Sequence, residues 1–525
     1  MDKKWWTLIA VCTGTFMLLL DLTIVNVALP EIQTGLHANL GDLQWIVDAY
    51  ALSLSALLLV GGSLADLYGR RLLFTIGLVI FSAGSLLCGL AQSPEMLILS
   101  RAGQGVGGAI MFATSLALLA HSFRGRERGV AFGAWGAVTG VAVAVGPILG
   151  GLLTTGISWR AIFIVNVPIG VVAVALTILR VEESRQEGAR RPDWIGAALL
   201  TCGLIGIVYG LIEASETSWG NSAVGISMAI GAVLVVAFVI AELRVRQPMF
   251  DLSLFRVPTF VGGSLAAFAM NASLFSVLLY LVLYLQDVDR YSALGTGLRL
   301  LILSGGTLCT ASLAGRLTSH VPVRFLIGPG LVLVGIGLLL MGGLTTTTSW
   351  THLIPGFAVA GIGAGFVNPP LASTAVGVVE PQRAGMASGI NATFRQIGIA
   401  TSIAALGTIF AGAVNAELRR SLAHLPGVGS HLSAIESQVR SGDVAGAAGH
   451  LPAHARGAVL HAAGVGFVHG INDLLLVTAI VAFVGAVFAF TMLRTRDFQV
   501  GAARGGEVDG ARAVQEPEVQ PAAGS

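Results

Sequence analysis

Residues 56–91 read ALLLVGGSLADLYGRRLLFTIGLVIFSAGSLLCGLA, two apolar runs joined by a short stretch holding one acid and two arginines. With its flanking residues each run reaches the roughly 20 apolar positions that a helix needs to cross a bilayer. Neither run carries the polar face that a helix packed in water would show. The charged stretch between them therefore turns the chain at a membrane surface. The same unit repeats in both directions, with apolar spans near 7–30, 44–65, 72–91, 96–119, 130–154, 161–179, 194–213, 222–241, 259–285, 294–315, 324–343, 352–378, 385–411 and 469–492. We expect an all-α, polytopic membrane protein with 14 transmembrane helices whose main partner is the lipid bilayer.

Composition agrees with that reading. Hydrophobic residues make up 54% of the chain and charged ones 11%, against about 25% charge in an ordinary soluble domain. Mean hydropathy is +0.82. The basic residues fix an orientation, because Lys and Arg collect in short cytoplasmic loops. With the N-terminus inside, 21 of the 30 basic residues face the cytoplasm, among them Lys3, Lys4, Arg70, Arg71, Arg124, Arg126 and Arg128. The short outer loops hold Arg160 and Arg290. Both termini are thus expected inside a bacterial inner (plasma) membrane. The net charge of +2 reflects this loop bias and implies no nucleic-acid partner.

Lys3 and Lys4 precede an apolar run as in a signal peptide, but the run continues to Leu29 without a small-residue cleavage site and reads as the first span. Cys12, Cys88, Cys202 and Cys309 stand singly in spans. Their spacing suits neither disulfides nor a metal, and they read as buried apolar filler.

The chain also repeats itself. SLADLYGRR from Ser63 has a counterpart in SLAGRL from Ser312, RAGQGVGGA from Arg101 in FAVAGIGAG from Phe357, and RGVAFG from Arg128 in RAGMASG from Arg383. The offset is near 250 residues throughout. Two related six-helix bundles are implied, a common plan for secondary transporters. We expect the first over 1–180, a linker and inserted helix pair over 181–245, and the second over 246–496 with a long outer loop near 412–468. That loop holds His424, His431, His450, His454 and His461 without compact ligand spacing, so it reads as solvated loop. Residues 497–525, rich in Gly, Ala, Glu and Pro, read as a disordered cytoplasmic tail.

Three charges stand where a bilayer should exclude them. Asp21, Asp48 and Arg101 fall at about the same depth in spans 1, 2 and 4, where an ionised side chain costs at least about 2.5–3.5 kcal/mol and normally faces a cavity or partner. Two carboxylates facing one guanidinium suit proton carriage; a static ion pair that only orients helices is the alternative. The corresponding region of the second half carries Asn271, Arg299 and Phe357, while Arg395 stands mid-span in helix 13. A cavity with that balance disfavours dications and suits neutral, amphipathic or weakly anionic compounds; Arg395 hydrogen-bonded to helix carbonyls is the alternative. Asn26, Gln104, Asn166, Asn368 and Asn391 are further candidates for its lining, with hydrogen bonding between helices the alternative.

Gly62, Asp66, Gly69, Arg70 and Arg71 form G-x-x-x-D-x-x-G-R-R between spans 2 and 3. This resembles the loop signature of the major facilitator superfamily, in which it steadies one state of an alternating-access cycle. Asp66 is expected to face the start of helix 13 near Gly385. Leu97–Ala109 resembles the family's helix-4 motif, whose arginine, here Arg101, is tied to proton coupling. Gly140, Gly146, Pro147, Gly150 and Gly151 resemble its helix-5 antiporter motif. LDLTIVNVALP from Leu20, QWIVDAYAL from Gln44 and SWRAIFIVNVPIG from Ser158 are similar to the fourteen-helix drug/proton antiporter branch. The resemblance implies a proton-coupled exporter of amphipathic small molecules such as antibiotics, with Asp21, Asp48 and Arg101 proton-linked, and acting as a monomer. A lipid or siderophore exporter on the same scaffold is the alternative. Relatives that export dicationic antiseptics tend to carry an acid in helix 13, where this chain has Arg395. No nucleophile with its base, metal cluster or nucleotide loop stands out, so neither an enzyme nor a cofactor beyond the coupling proton is expected.

Overall fold

The computed structural model describes residues 2–123, 125–185, 192–217, 219–245, 248, 250–318, 321–379, 384–422 and 453–498. Within them lie fourteen helices long and apolar enough to cross a membrane. They are α1 (Lys3–Leu36), α2 (Leu40–Tyr68), α3 (Arg70–Gly89), α4 (Pro94–Ser122), α5 (Gly125–Gly156), α6 (Ala161–Arg180), α7 (Trp194–Glu216), α8 (Ser222–Arg244), α9 (Pro258–Val288), α10 (Ala293–Leu317), α11 (Arg324–Met341), α12 (Leu353–Gly377), α13 (Ala384–Leu422) and α14 (Ala453–Met492). Both described chain ends lie on one face of the bundle, here the terminal face; the opposite one is the far face.

Local chemistry sets the helix ends. Asn39 and Asp42 form a reciprocal cap at the start of α2: Asp42 N donates to Asn39 Oδ1 at 2.7 Å and Asn39 N to Asp42 Oδ2 at 2.9 Å. Ser93 caps α4 and Pro94 occupies its first turn, where a missing N–H costs nothing. Gly69, at φ +120°, makes the turn between α2 and α3. Two helices are irregular. A break at Val165 divides α6 into Ala161–Ile164 and Asn166–Arg180, and α9 widens into π-helical turns at Asn271–Phe275 and Tyr284–Val288. Such turns recur at functional sites because they redirect side chains without ending the helix.

Packing follows a doubled scheme. α2 and α3 lie against α4, α1 against α5 and α3 against α6; α10 and α11 lie against α12, α9 against α13 and α11 against α14. Two seams join these groups, α2 with α13 and α5 with α10. The hairpin α7–α8 stands apart, and α7 lies against both α2 and α13. α8 exposes Ile226, Ile230, Val233 and Val236, as expected of a helix whose solvent is hydrocarbon.

Several expectations need correction. α13 continues to Leu422 and α14 begins at Ala453, so much of the loop expected over 412–468 is helix. Hydropathy marks where a helix leaves the bilayer, not where it ends. Residues 423–452, with His424, His431 and His450, lie outside the described residues, and His461 is an exposed position of α14. The expected tail does not include Asp497, whose Oδ2 accepts from Thr259 N at 3.3 Å and from its hydroxyl at 2.7 Å. Residues 499–525 lie outside the described residues. Among the cysteines Cys88 is buried, whereas Cys202 and Cys309 are exposed.

Candidate functional site

At the centre of the first six helices, Arg101 of α4 reaches α1. Its Nη1 donates to Asp21 Oδ2 at 2.5 Å and to Gln104 Oε1 at 2.8 Å, and its Nε donates to the Ile46 carbonyl at 3.1 Å. Gln104 returns a bond to Asp21 Oδ1 at 2.8 Å. Asn166 Nδ2 lies 3.4 Å from the same oxygen and donates to Ser85 Oγ at 3.1 Å. Ser85 in turn donates to the Phe163 carbonyl at 2.9 Å. Asp21 is 0% and Arg101 2% exposed. Removing two charges from water is tolerable only when each finds a close counter-charge and further hydrogen bonds, and this cluster supplies both. The break in α6 is what places Asn166 here. Over the guanidinium lies the Tyr50 ring, its centroid 4.2 Å from Arg101 Cζ.

Asp48 does not join that cluster, which corrects the expectation of two carboxylates facing one arginine. It is 0% exposed, and neither carboxyl oxygen has a hydrogen-bond partner among the described residues. It belongs to a stripe of α2 turned toward α13. One turn before it, Gln44 Nε2 donates to the Tyr280 hydroxyl at 2.9 Å, which donates to the Ile403 carbonyl at 2.9 Å. Further along, Ser55 O accepts from Thr393 Oγ1 at 3.2 Å. Positions 44, 48, 52 and 55 share one helix face, so Asp48 sits in the seam between α2 and α13. An ionised carboxylate in such a place costs several kcal/mol, and the protonated acid avoids that cost.

Beside Arg101 lies a cavity of ≈ 20 Å³, room for about one water. Leu22, Val25 and Asn26 of α1, Val47 and Tyr50 of α2, Arg101, Phe275 of the first π turn, and Gln396, Ile399 and Ile403 of α13 line it. A drug-sized molecule fits only if these helices part. Of the residues expected around a substrate, Asn26 lines the cavity and Gln104 belongs to the Asp21 cluster. Asn271 spends its amide on the Ala267 carbonyl at 2.8 Å. Arg395 is turned to α12 and its own helix: Nη1 donates to Asn368 Oδ1 and Nε to Asn391 Oδ1, both at 3.3 Å. Arg299 is elsewhere, near the far face, with Cζ 3.4 Å from the Tyr291 centroid and 4.6 Å from that of Trp350. Burial pushes the neighbouring Asp289 carboxyl above its usual range, against the pull of Arg299. Gln396, Tyr50 and Tyr280 escaped sequence reading.

On the terminal face, Asp66 pairs within its own motif, accepting from Arg70 Nη2 at 2.9 Å and Nε at 3.1 Å; the surroundings of Gly385, where a second contact was expected, lie outside the described residues. Glu183, from the segment after α6, caps α3 instead. It accepts from Arg71 N at 3.0 Å and Leu72 N at 3.2 Å, and Arg70 N donates to the Ser184 carbonyl at 2.9 Å. A carboxylate at a helix N-terminus meets the positive end of the helix dipole. A Cβ at Gly69 would lie 2.6 Å from the Glu183 carboxyl carbon.

The glycines of α5 face two neighbours. A Cβ at Gly150 would lie 2.8 Å from the Ile24 carbonyl oxygen of α1, and one at Gly151 would lie 2.5 Å from Leu294 Cα of α10. Gly146 packs on Thr23, Gly140 approaches Leu308, and Gly297 of α10 admits the Pro147 carbonyl. Small residues thus let backbones approach along the α5–α10 seam.

Comparison with known proteins is consistent across sequence and structure. A family model described as Major Facilitator Superfamily matches residues 11–403. The chain is 36% identical over 417 residues to the multidrug resistance protein Stp of Mycobacterium tuberculosis (strain CDC 1551 / Oshkosh), covering 79% of this chain and 78% of that protein. It is 32% identical over 504 residues to the tetracenomycin C resistance and export protein of Streptomyces glaucescens, covering 93% and 91%. In structure it resembles a bacterial homologue of the human lysosomal transporter Spinster, with a TM-score of 0.62 at 17% identity over 95% of this chain and 99% of that one.

Proposed function

The chain belongs to the major facilitator superfamily, and from that membership we propose that it is a proton-coupled exporter of amphipathic small molecules such as antibiotics, in a bacterial inner membrane with the terminal face cytoplasmic. Its relatives named for multidrug resistance and antibiotic export support the cargo class. The proposed halves are residues 1–180 and 246–496, rocking against each other along the α2–α13 and α5–α10 seams.

One observation carries the coupling: Arg101 both borders the cavity and holds Asp21 at 2.5 Å. A proton on Asp21 cancels the charge that Arg101 neutralises. The guanidinium is then held only by Tyr50, Gln104 and the Ile46 carbonyl and is free to face the cavity. That unmatched positive charge is unfavourable beside an uncharged, largely apolar cargo, so proton uptake by Asp21 on the outer side and cargo release go together. Asp48 is the second proposed proton site, charged when the α2–α13 seam opens and neutral when it closes. One charge moving through 100 mV is worth about 2.3 kcal/mol, enough for a roughly fortyfold to fiftyfold gradient per proton.

The test is transport into proteoliposomes under an imposed pH gradient with a panel of dyes, antibiotics and lipids. Accumulation of drug-like compounds that collapses with the gradient is expected. Movement of lipids alone would favour the lipid-export reading, and gradient-independent movement would overturn proton coupling.

A further inference from the structure

We propose that Asn26 and Gln396 are the specificity-determining residues of the central cavity, a pair of carboxamides that reads a hydroxyl and a carbonyl on an uncharged, largely apolar cargo. This rests on the export reading above and adds what the exported molecule must carry.

The cavity wall is mostly hydrocarbon, from Leu22, Val25, Val47, Phe275, Ile399 and Ile403. Four polar side chains reach it, and two are already committed. Arg101 is engaged with Asp21, Gln104 and the Ile46 carbonyl, while the Tyr50 hydroxyl lies 3.5 Å from the Leu18 carbonyl. The one positive charge is thus matched by the one carboxylate beside it. A cargo with net charge would meet no counter-charge in a medium where charge is expensive to bury.

Asn26 and Gln396 are different. Neither has a side-chain hydrogen bond among the described residues, and Gln396 Oε1 is buried without a partner. A buried acceptor left unmatched is unfavourable, and a ligand donor placed there removes the penalty. Each carboxamide offers one acceptor and two donors, so the pair suits a cargo that both donates and accepts. Arg395, forked onto Asn368 and Asn391, holds the turn of α13 that directs the next residue, Gln396, into the cavity. Asn26 belongs to α1 and Gln396 to α13, on opposite proposed halves. A cargo engaging both bridges the halves, so the correct hydrogen-bonding pattern also favours closure around it.

Binding of two matched probes to the purified protein in nanodiscs separates this from a merely greasy cavity. The probes are hydroxymethyl-anthraquinone, uncharged with a hydroxyl and ring carbonyls, and its methyl ether, which lacks the donor. The protein should bind the alcohol about tenfold more tightly than the ether. Asn26→Leu and Gln396→Leu should each erase most of that preference, and the double variant should add little. Gln396→Asn, which retains the group on a shorter stem, should restore part of it. Equal affinity for both probes, no binding of either, or a preference that survives both leucine variants would overturn the assignment. Gradient-driven transport of the methyl ether is measured alongside: its presence without discrimination leaves the export reading intact, and its absence with discrimination leaves the specificity pair intact.

Discussion

Asp21 on α1 and Arg101 on α4 meet at 2.5 Å in a site where both are buried, and each is held by Gln104 as well. The pair is therefore structural, and in the proposed cycle it also carries the proton. Asp21→Ala leaves an uncompensated buried cation and should destabilise the fold by about 3–5 kcal/mol, read as a lowered thermal midpoint in detergent. Asp21→Asn retains hydrogen bonding and should fold, yet lose cargo-induced proton release. Undiminished release from the folded Asn variant would remove Asp21 from the coupling scheme.

Asp48 should behave differently, because among the described residues it has no ion pair to lose. Asp48→Asn, an isostere of the protonated acid, should leave the thermal midpoint within a degree or two, roughly the scale of ±0.5 kcal/mol. It should also reduce by about one the protons released per chain during transport. A destabilisation comparable to that of Asp21→Ala would show that Asp48 is paired in the folded protein after all.

Glu183 fastens the segment after α6 to the first turn of α3. Glu183→Ala should cost about 0.5–2 kcal/mol, the value of a helix cap, and raise thiol labelling of a cysteine placed at Ser184. Glu183→Asp should fall between. Identical labelling in all three proteins would mean that the clamp does not govern access to this loop.

Along the α5–α10 seam, Gly151 has no room for a side chain beside Leu294. Gly151→Val should fold, since the helices of each half keep their own contacts, but should hold the seam apart and abolish transport while cargo binding persists. Crosslinking of cysteines introduced at Thr155 and Leu294, whose side-chain hydroxyl and backbone amide now meet at 3.1 Å, should drop several-fold. Retained crosslinking with normal transport would contradict the tight packing.

Arg395 gives a prediction opposite to the one its sequence position suggests. Because its guanidinium is spent on Asn368 and Asn391, Arg395→Gln should weaken the α12–α13 contact and lower stability without shifting cargo preference toward cations. Competition between a neutral and a dicationic dye measures this. A several-fold gain for the dication would place the side chain in the cavity in some step of the cycle.

The helices were legible because a bilayer imposes one crude requirement, apolar length, and loop arginines add direction. The Asp21–Arg101 pair was legible for the same reason, since charge in an apolar span stands out. Counting residues from a helix end gives depth but not rotation. That is why Asp48, at the depth of Arg101, was expected beside it, although the Gln44–Asp48–Ser55 stripe turns it toward α13. Arg299 was misplaced by the repeat, which aligns positions but not side-chain directions. Ser85 has no signature at all, being a small polar residue in an apolar helix, and Asn166 stands out only as an amide, without a sign that it turns toward Asp21. Glu183 was hidden among linker charges of the kind that usually face water.

The hairpin α7–α8 covers one seam and leaves the other bare. Thr408 Oγ1 of α13 donates to the Leu211 carbonyl of α7 at 3.0 Å, and Tyr209 of α7 lies 6.5 Å, centroid to centroid, from Trp45 of α2. On the α5–α10 side, Val141, Leu152, Leu298 and Leu313 are exposed. A molecule dissolved in the membrane therefore meets an uneven transporter, with one seam covered by a hairpin and the other facing lipid directly. Parting of the α5–α10 seam, closely packed here, would open that flank to the bilayer, so bulky substitutions along α5 and α10 should restrict membrane-borne compounds more than those arriving from water.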